Sequence, residues 1–208
     1  MEITTAMVKQ LREATSAGIL DCRKALVNCE GDFEQATQLL REKGLAAVAE
    51  RSDRQVAEGV LEAYVHPGSP VAVLLELNCE TDFVASTDDF KGLAHDLALH
   101  IAFAAPRYKT REEVPGEVVE EARVNYRAQA LEAGKPEHIV DRMVEGRLEK
   151  FYADICLMEQ PFVKDEDKSV LEIIDDVRAK LGEKIVLRRF VRYELGEEIV
   201  NGEQAAEA

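Results

Sequence analysis

Apolar residues recur at helical spacing three times near the start of the chain. Met7, Val8 and Leu11 predict a helix over about 5–14. Leu20, Ala25 and Leu26 predict a second over about 20–29, and Phe33, Ala36, Leu39 and Leu40 a third. Thr15-Ser16-Ala17-Gly18 and Glu30-Gly31 separate them. Asp32 followed by Gln35 reads as a capping box, in which each side chain satisfies the other residue's backbone N–H. Gly44 reads as the residue that closes the third helix. A module this small has a thin core, so it needs tight internal packing or a neighbouring surface. Residues 46–57, rich in Ala and charge, read as a helical linker.

The period then changes. Residues 60–65 and 71–77 are β-type runs joined by His66-Pro67-Gly68-Ser69, where Pro then Gly suits a type II turn. The pair predicts an antiparallel hairpin. Val71-Ala72-Val73-Leu74-Leu75 is almost continuously apolar, which predicts a central, covered strand. Helical spacing resumes with Phe90, Leu93, Leu97 and Ile101, ended by Pro106. Pro115 opens a helix over 115–132, and Pro136 opens another whose stripe is Val140, Val144, Leu148, Phe151 and Ile155. With Ala133-Gly134-Lys135 between them they form a helical hairpin. Gln160-Pro161-Phe162-Val163 can be only an edge strand or an extended loop, because Pro161 has no N–H to donate. Ser169 with Glu172 is a second capping box, opening a helix with Val170, Ile173, Ile174, Val177 and Leu181 that Gly182 ends. A last strand over 185–193 shows an apolar face of Ile185, Leu187, Val191 and Tyr193, interrupted by Arg189.

The expected fold class is therefore α+β. A three-helix module at 1–45 and a linker at 46–57 precede an antiparallel-sheet core with a helical hairpin at 58–196. An acidic tail at 197–208 is expected to be disordered.

Composition narrows the function. The 208 residues are 46% hydrophobic, enough for a real core, and 41 Asp and Glu outnumber 26 Lys and Arg, giving −15. Affinity for phosphate backbones comes mainly from Lys and Arg, so the charge argues against a general nucleic-acid binder while leaving room for a local basic patch. Aromatics are 6% with no Trp, too few for a base-stacking platform. No apolar run is long enough for a membrane span, and Met1-Glu2-Ile3-Thr4-Thr5 lacks the features of a signal peptide, so a cytoplasmic protein is expected. Cys22, Cys29, Cys79 and Cys156 have no metal-site spacing. Cys22 and Cys29 sit seven residues apart on one expected helix, about 10 Å along its axis. A disulfide needs Cα atoms within about 7 Å, so these two are expected to stay reduced.

No common nucleotide-binding glycine loop occurs, and no nucleophile elbow. The four histidines are His66, His95, His100 and His138. His95 and His100 lie about 140° apart around one helix and cannot share a metal from it. With 41 carboxylates a close pair carries no information. Arg188-Arg189-x-x-Arg192 reads either as a phosphate patch or, through strand alternation, as solvated edge positions. Nothing supports an enzyme, a metal or a cofactor, and a binding protein is the default.

One segment does not read as plain scaffold. Leu77-Asn78-Cys79-Glu80-Thr81-Asp82-Phe83-Val84 sits where a strand hands over to a helix. Thr81 or Asp82 can cap the free amides of that helix. Phe83 in the first turn has two readings. It can fold back onto the core, which the residues alone favour, or stand exposed beside an acid as an anchor for a partner's pocket.

The segment Glu76 to Val84 resembles a signature of the elongation factor Ts family, nucleotide-exchange factors of bacterial elongation factor Tu. Leu11-Arg12-Glu13-Ala14-Thr15-Ser16-Ala17-Gly18-Ile19-Leu20-Asp21-Cys22-Arg23-Lys24-Ala25-Leu26 resembles the family's other signature. There Ser16 stands where Gly is usual, and Ile19-Leu20 where methionines are frequent. Glu145-Gly146-Arg147-Leu148-Glu149-Lys150-Phe151, Gln160-Pro161-Phe162-Val163 and Arg189-Phe190-Val191-Arg192-Tyr193-Glu194 extend the match in order. The resemblance implies a ubiquitin-associated-like N-terminal module on an α+β core. It also implies exchange activity on elongation factor Tu, without covalent chemistry. Thr81, Asp82, Phe83 and Val84 would dislodge Mg²⁺ from the partner, with Phe83 as wedge and Asp82 disturbing the charged site. Ala17, Gly18, Ile19, Leu20 and Asp21 would dock beside the partner's nucleotide-binding domain. Long members carry two core halves. With one, this chain resembles the short form, which implies a homodimer. The rival from the first 44 residues alone is a ubiquitin-associated-like adapter with no effect on nucleotide.

Overall fold

The computed structural model describes residues 3–15, 17–49, 55–68 and 71–197. The sequence expectations for 50–54 of the linker and for 198–208 of the tail lie outside the described residues.

Three helices open the chain: α1 (Thr5–Thr15), α2 (Ile19–Asn28) and α3 (Phe33–Ala49). Val8, Leu11, Cys22, Ala25, Leu26, Ala36 and Leu40 form their common core. The turn between α2 and α3 puts Glu30 and Gly31 at positive φ, and the Gly31 N–H bonds back to the Leu26 carbonyl at 2.8 Å. Asp32 caps α3 by accepting from the Gln35 N–H at 2.9 Å. Its second oxygen takes the Gln35 side-chain amide at 3.1 Å, and the Asp32 N–H goes to the Cys29 carbonyl. The expected box is therefore a one-sided cap.

Gly44 does not end the third helix, which runs on to Ala49. A Cβ at Gly44 would stand 3.0 Å from the Cα of Ala179, on helix α8 (Val170–Leu181). The glycine marks a close helix crossing instead of a stop. Beside it Arg41 pairs with Asp176 at 2.6 Å and donates to the Glu172 carbonyl at 3.2 Å. The surface that the thin module leans on is thus α8 of its own chain. Residues 55–57 are not helical.

Strands β1 (Glu58–Val65), β2 (Val71–Cys79) and β5 (Val186–Glu194) form an antiparallel sheet in the order β1-β2-β5. Gly68 supplies the positive φ of 64° that the hairpin turn requires. Helices α4 (Asp82–Ala85), α5 (Asp88–Ala104) and α8 cover one face. Val73, Leu75 and Leu77 of β2 pack there against Phe90, Leu93, Leu97 and Ile101 of α5 and Val170 and Ile174 of α8.

The other face is open. Leu61 and Leu74 on it are 69% and 47% exposed, so β2 is central but covered on one side only. The expected face of β5 is split as well. Glu76 pairs with Arg189, but Leu77 pairs with Leu187, so Arg188 is an extra residue. Such a bulge flips the alternation. Ile185 and Leu187 point to the helices, and past the bulge so do Phe190 and Arg192. Val191 and Tyr193 turn to the open face. The bulge also brings Arg188 and Arg189 onto one carboxylate, Glu76, at 3.3 and 2.8 Å. Burial works against ionisation of Glu76, but the two guanidiniums outweigh it and hold its carboxyl below the ordinary range. Arg192 is turned inward and donates to the Ala102 carbonyl. Arg188 and Arg189 are thus solvated positions on an edge strand, tied to Glu76, and only Arg192 departs from that reading.

Helices α6 (Gly116–Glu132) and α7 (Glu137–Ile155) form the expected hairpin around Ala130, Val140, Val144 and Leu148. It packs on itself and leaves the open sheet face uncovered. Arg123–Glu145 and Arg127–Asp141 pair across it. At its base Arg111 pairs with Glu149 and Glu159 and lies 4.6 Å over the Tyr152 ring. Strand β3 (Pro161–Phe162) pairs with β4 (Asp165–Ser169), a polar strand with no apolar alternation to announce it. The Ser169–Glu172 capping box is present at the start of α8, and Gly182 ends the helix in the left-handed conformation.

His100 is buried and stacks on Phe162. The Val163 N–H donates to its Nδ1 at 3.2 Å, so Nε2 carries the proton and donates to Gln160 Oε1 at 3.0 Å. Burial pushes its pKa below 6.5, with the Gln160 bond opposing. The unfolded chain therefore binds the proton more readily. This contribution to stability is complete above pH 6.5 and is lost as pH falls through the folded-state pKa. Urea melts from pH 7.5 down to about 5 are expected to show a decline that His100→Gln, which cannot titrate, reduces. An equal decline in the variant would remove His100 as its source.

Candidate functional site

Strand β2 ends at Cys79, and the chain turns at Glu80 and Thr81 into the single turn α4. Thr81 is extended and accepts from the Val84 N–H at 3.3 Å, the expected cap. Below the turn, Ser86 Oγ donates to the Asp82 carbonyl and Thr87 Oγ1 to the Val84 carbonyl, at 2.8 and 2.7 Å. Thr87 then caps α5 by accepting from the Phe90 N–H.

The turn has two sides. Val84 and Ala85 are buried in the sheet–helix core, whereas Asp82 is exposed and Phe83 is 78% exposed. The inward reading of Phe83 is therefore overturned: Val84 and Ala85 fill the space that it would need. Val84 in turn is core, and its place is to fix the turn that carries Phe83.

A residue that the sequence did not announce holds this corner. Glu183, just past the end of α8, accepts the Glu80 and Thr81 N–H groups on Oε2 at 3.2 and 3.1 Å. Thr81 Oγ1 donates to its Oε1 at 2.7 Å. In return Glu80 Oε1 accepts the Lys184 N–H at 2.9 Å. Thr81 and Glu183 lie 102 residues apart, so no local pattern could have paired them.

Cys79 lies beneath the corner and donates to the Thr81 carbonyl. Burial, with the Glu183 charge adding, pushes its thiol up to about 11. Burial does the same at Cys156, also to about 11.

The second candidate segment lies on α2. Gly18 is the N-cap, extended and without a side-chain cap. Ala17 is half-buried, and Cys22 Sγ donates to its carbonyl. Ile19 and Leu20 are 57% and 71% exposed. Asp21 meets Lys43 of α3 at 2.5 Å, and that hydrogen bond and charge lower its pKa. Val27, seven residues after Leu20 and on the same side of α2, is also exposed, an addition to the patch that the signature did not include.

The two patches do not form one pocket. Helix α2 packs on α1 and α3, and α4 packs on the sheet and α5. The link between them is α8, which carries α3 along its side and Glu183 at its end.

The remaining candidates have ordinary partners. His95 meets Glu62 at 2.9 Å and His66 meets the Tyr64 hydroxyl at 2.8 Å. Among the described residues no three His, Cys, Asp or Glu side chains converge as a metal site, and no helix is long and apolar enough to cross a membrane.

The family model for elongation factor Ts matches residues 2–197. The chain belongs to the elongation factor Ts family. It is 57% identical over 196 residues to elongation factor Ts of Desulforamulus reducens, covering 94% of this chain and 90% of that one. It is 54% identical over 202 residues to that of Carboxydothermus hydrogenoformans, covering 97% and 93%. Against that of Desulfitobacterium hafniense it is 55% identical over 203 residues, covering 98% and 94%. In this elongation factor Ts family member each of the two signature segments exposes apolar side chains at a helix start, Phe83 on α4 and Ile19 and Leu20 on α2.

Alkylation tests the electrostatics under the corner. In native protein at pH 7.5, Cys79 and Cys156 are expected to stay unmodified while the half-buried Cys29 reacts, as read by mass spectrometry. Labelling of Cys79 at the rate of Cys29 would contradict the burial described.

Proposed function

We propose that this protein is a guanine-nucleotide exchange factor that works in the cytoplasm on elongation factor Tu. It would bind the GDP complex, displace Mg²⁺ and speed GDP release so that GTP can enter. The observation that carries this reading is Phe83, a large apolar side chain held out into solvent beside Asp82 on a fixed turn.

Such a factor makes and breaks no covalent bond. It binds the GTPase better in the state that holds nucleotide and metal poorly, and GDP weakens its binding by the same factor. Each tenfold takes about 1.4 kcal/mol of differential interaction. Burying a Phe supplies about 1.5–3 kcal/mol, so one wedge whose pocket opens only in the weak-binding state is worth roughly one to two orders of magnitude. Asp82 brings a negative charge to a site where Mg²⁺ and phosphates balance one another. Thr81 holds the turn by its cap, and Val84 roots it in the core. The Ala17–Asp21 segment, with Leu20 outermost, adds affinity at a second place beside the partner's nucleotide-binding domain. The net charge of −15 supports a protein partner over nucleic acid.

An adapter that only tethers elongation factor Tu would use the α2 patch and would not need the corner. Stopped-flow release of labelled GDP from elongation factor Tu separates the two readings. Phe83→Ala is expected to cut the stimulated rate at least ~10-fold, with an unchanged melting temperature because the side chain touches little. Normal release in the variant would remove the wedge role. No acceleration by the unaltered chain would leave the adapter.

We propose also that the protein acts as a homodimer. The open face of the sheet presents Leu61, Val65, Leu74 and Tyr193, all substantially exposed, and no helix among the described residues covers it. A two-fold axis lets one such face cover another. Sedimentation equilibrium at micromolar protein is expected to give twice the 23.2 kDa chain mass, and Leu74→Arg half of that. A monomer with full exchange activity would defeat the proposal.

A further inference from the structure

Phe83 is the exposed tip of a four-residue helix, and four residues do not hold helical backbone unaided, because the first turn fixes several dihedrals for one hydrogen bond. Nothing packs on most of the side chain, so its position is set by the backbone under it. That backbone is fixed on its inner side by Val84 and Ala85. At its entrance it is fixed by Glu183.

We infer that Glu183 is the positioning residue of the Asp82–Phe83 corner, an inference that rests on the reading of Phe83 as the wedge. The carboxylate suits the place because it only accepts, has two oxygens, and meets three donors: the Glu80 and Thr81 amides and the Thr81 hydroxyl. Bonds to a charged acceptor are stronger than neutral ones. The hydroxyl is the relay. Because its proton goes to Glu183, its lone pairs stay directed at the Val84 N–H, and the cap of α4 is held from the end of α8. The return bond from the Lys184 N–H to Glu80 Oε1 closes the clasp. Gly182 makes it possible: its positive φ of 70° ends α8 and sends the next residue toward the end of β2. Glu183 touches no partner in this account and acts only through the turn.

Three measurements on the full-length chain test the role. Amide hydrogen exchange of free Glu183→Ala is expected to show the Val84 amide exchanging at least ~10-fold faster than in the unaltered chain, with core amides such as those of Leu75 and Leu97 unchanged. In GDP release from elongation factor Tu, the maximal rate is expected to fall ~5–10-fold while the half-saturating concentration moves less than ~3-fold, since the α2 patch is intact. Glu183→Gln, whose carbonyl oxygen can still take the two amides but whose NH2 cannot accept from the Thr81 hydroxyl, is expected to recover part of both. Finally, Glu183→Ala added to Phe83→Ala is expected to cost less than ~2-fold further, because the wedge through which it acts is gone. Should Glu183→Ala fail to fold, Glu183→Gln is held to the same direction of change at the Val84 amide and in the maximal rate, with smaller size. A Val84 amide as well protected as before would overturn the inference. So would an equal loss of rate with and without Phe83. If the unaltered chain fails to speed GDP release, the wedge reading falls, and the Val84 amide alone still decides whether Glu183 holds the corner.

Discussion

Helix α8 is the constraint on which the arrangement depends. Its inner stripe, Val170 and Ile174, completes the core under the sheet. Its flank receives α3 where Gly44 meets Ala179, a crossing so close that a single methyl group would crowd the backbone. Near its end Lys180 reaches Asp89 in the first turn of α5, and just past it Glu183 clasps the corner before α4. One rigid rod thus fixes three things that are remote in sequence: the N-terminal module, the long covering helix and the exposed Phe83. Rods transmit position well because their backbone bonds are satisfied internally and their side chains sit in set rotamers. On the proposed reading the chain touches elongation factor Tu at two separated places, and such a rod holds the two at a set distance.

The sheet shows how one residue can redistribute chemistry. Without the Arg188 bulge, β5 would put Arg189 on the same face as Leu187, buried under the helices. The extra residue returns Arg189 to the open face, where Glu76 neutralises it, and turns Phe190 inward. It also moves Val191 and Tyr193 outward, which leaves the open face apolar away from its charged end. The bulge therefore keeps the core dry and at the same time creates the surface that a second subunit would cover.

Most of the fold was legible because it follows from short-range rules. Helical spacing gave all three helices of the module, α5, the hairpin and α8, and the Ser169–Glu172 box and Gly182 marked both ends of α8. The errors share a cause. Gly44 looks like a helix stop in sequence, yet serves a contact 135 residues away. β4, Asp165–Ser169, is strand only because Pro161–Phe162 lies beside it. The single face assigned to Ile185, Leu187, Val191 and Tyr193 assumed unbroken alternation. At the site, the Thr81 cap was readable, since a cap is local. The direction of Phe83 was not, because it depends on what fills the space beneath. Glu183 gave no signal, because a clasp between distant turns has no period and no spacing.

Energetics explain why the corner has to be built so firmly. Ordering one residue of flexible backbone costs about 1–2 kcal/mol, so a loose turn the length of Asp82–Ala85 would cost about 4–8 kcal/mol to fix on contact. Burying the Phe83 ring returns about 1.5–3 kcal/mol. A floppy wedge would therefore lose more by ordering than it gains by entering a pocket, and nothing would remain to oppose the grip of a GTPase on its nucleotide. With the turn already ordered by Val84 beneath, Thr81 at its start and Glu183 behind, that cost is met during folding. On the proposed reading of Phe83 as a wedge, the burial energy of the ring is then free to act on the partner. Thr81 and Glu183 matter for this reason: in the proposed function they contribute no affinity of their own, but they decide whether the affinity of the ring can be used.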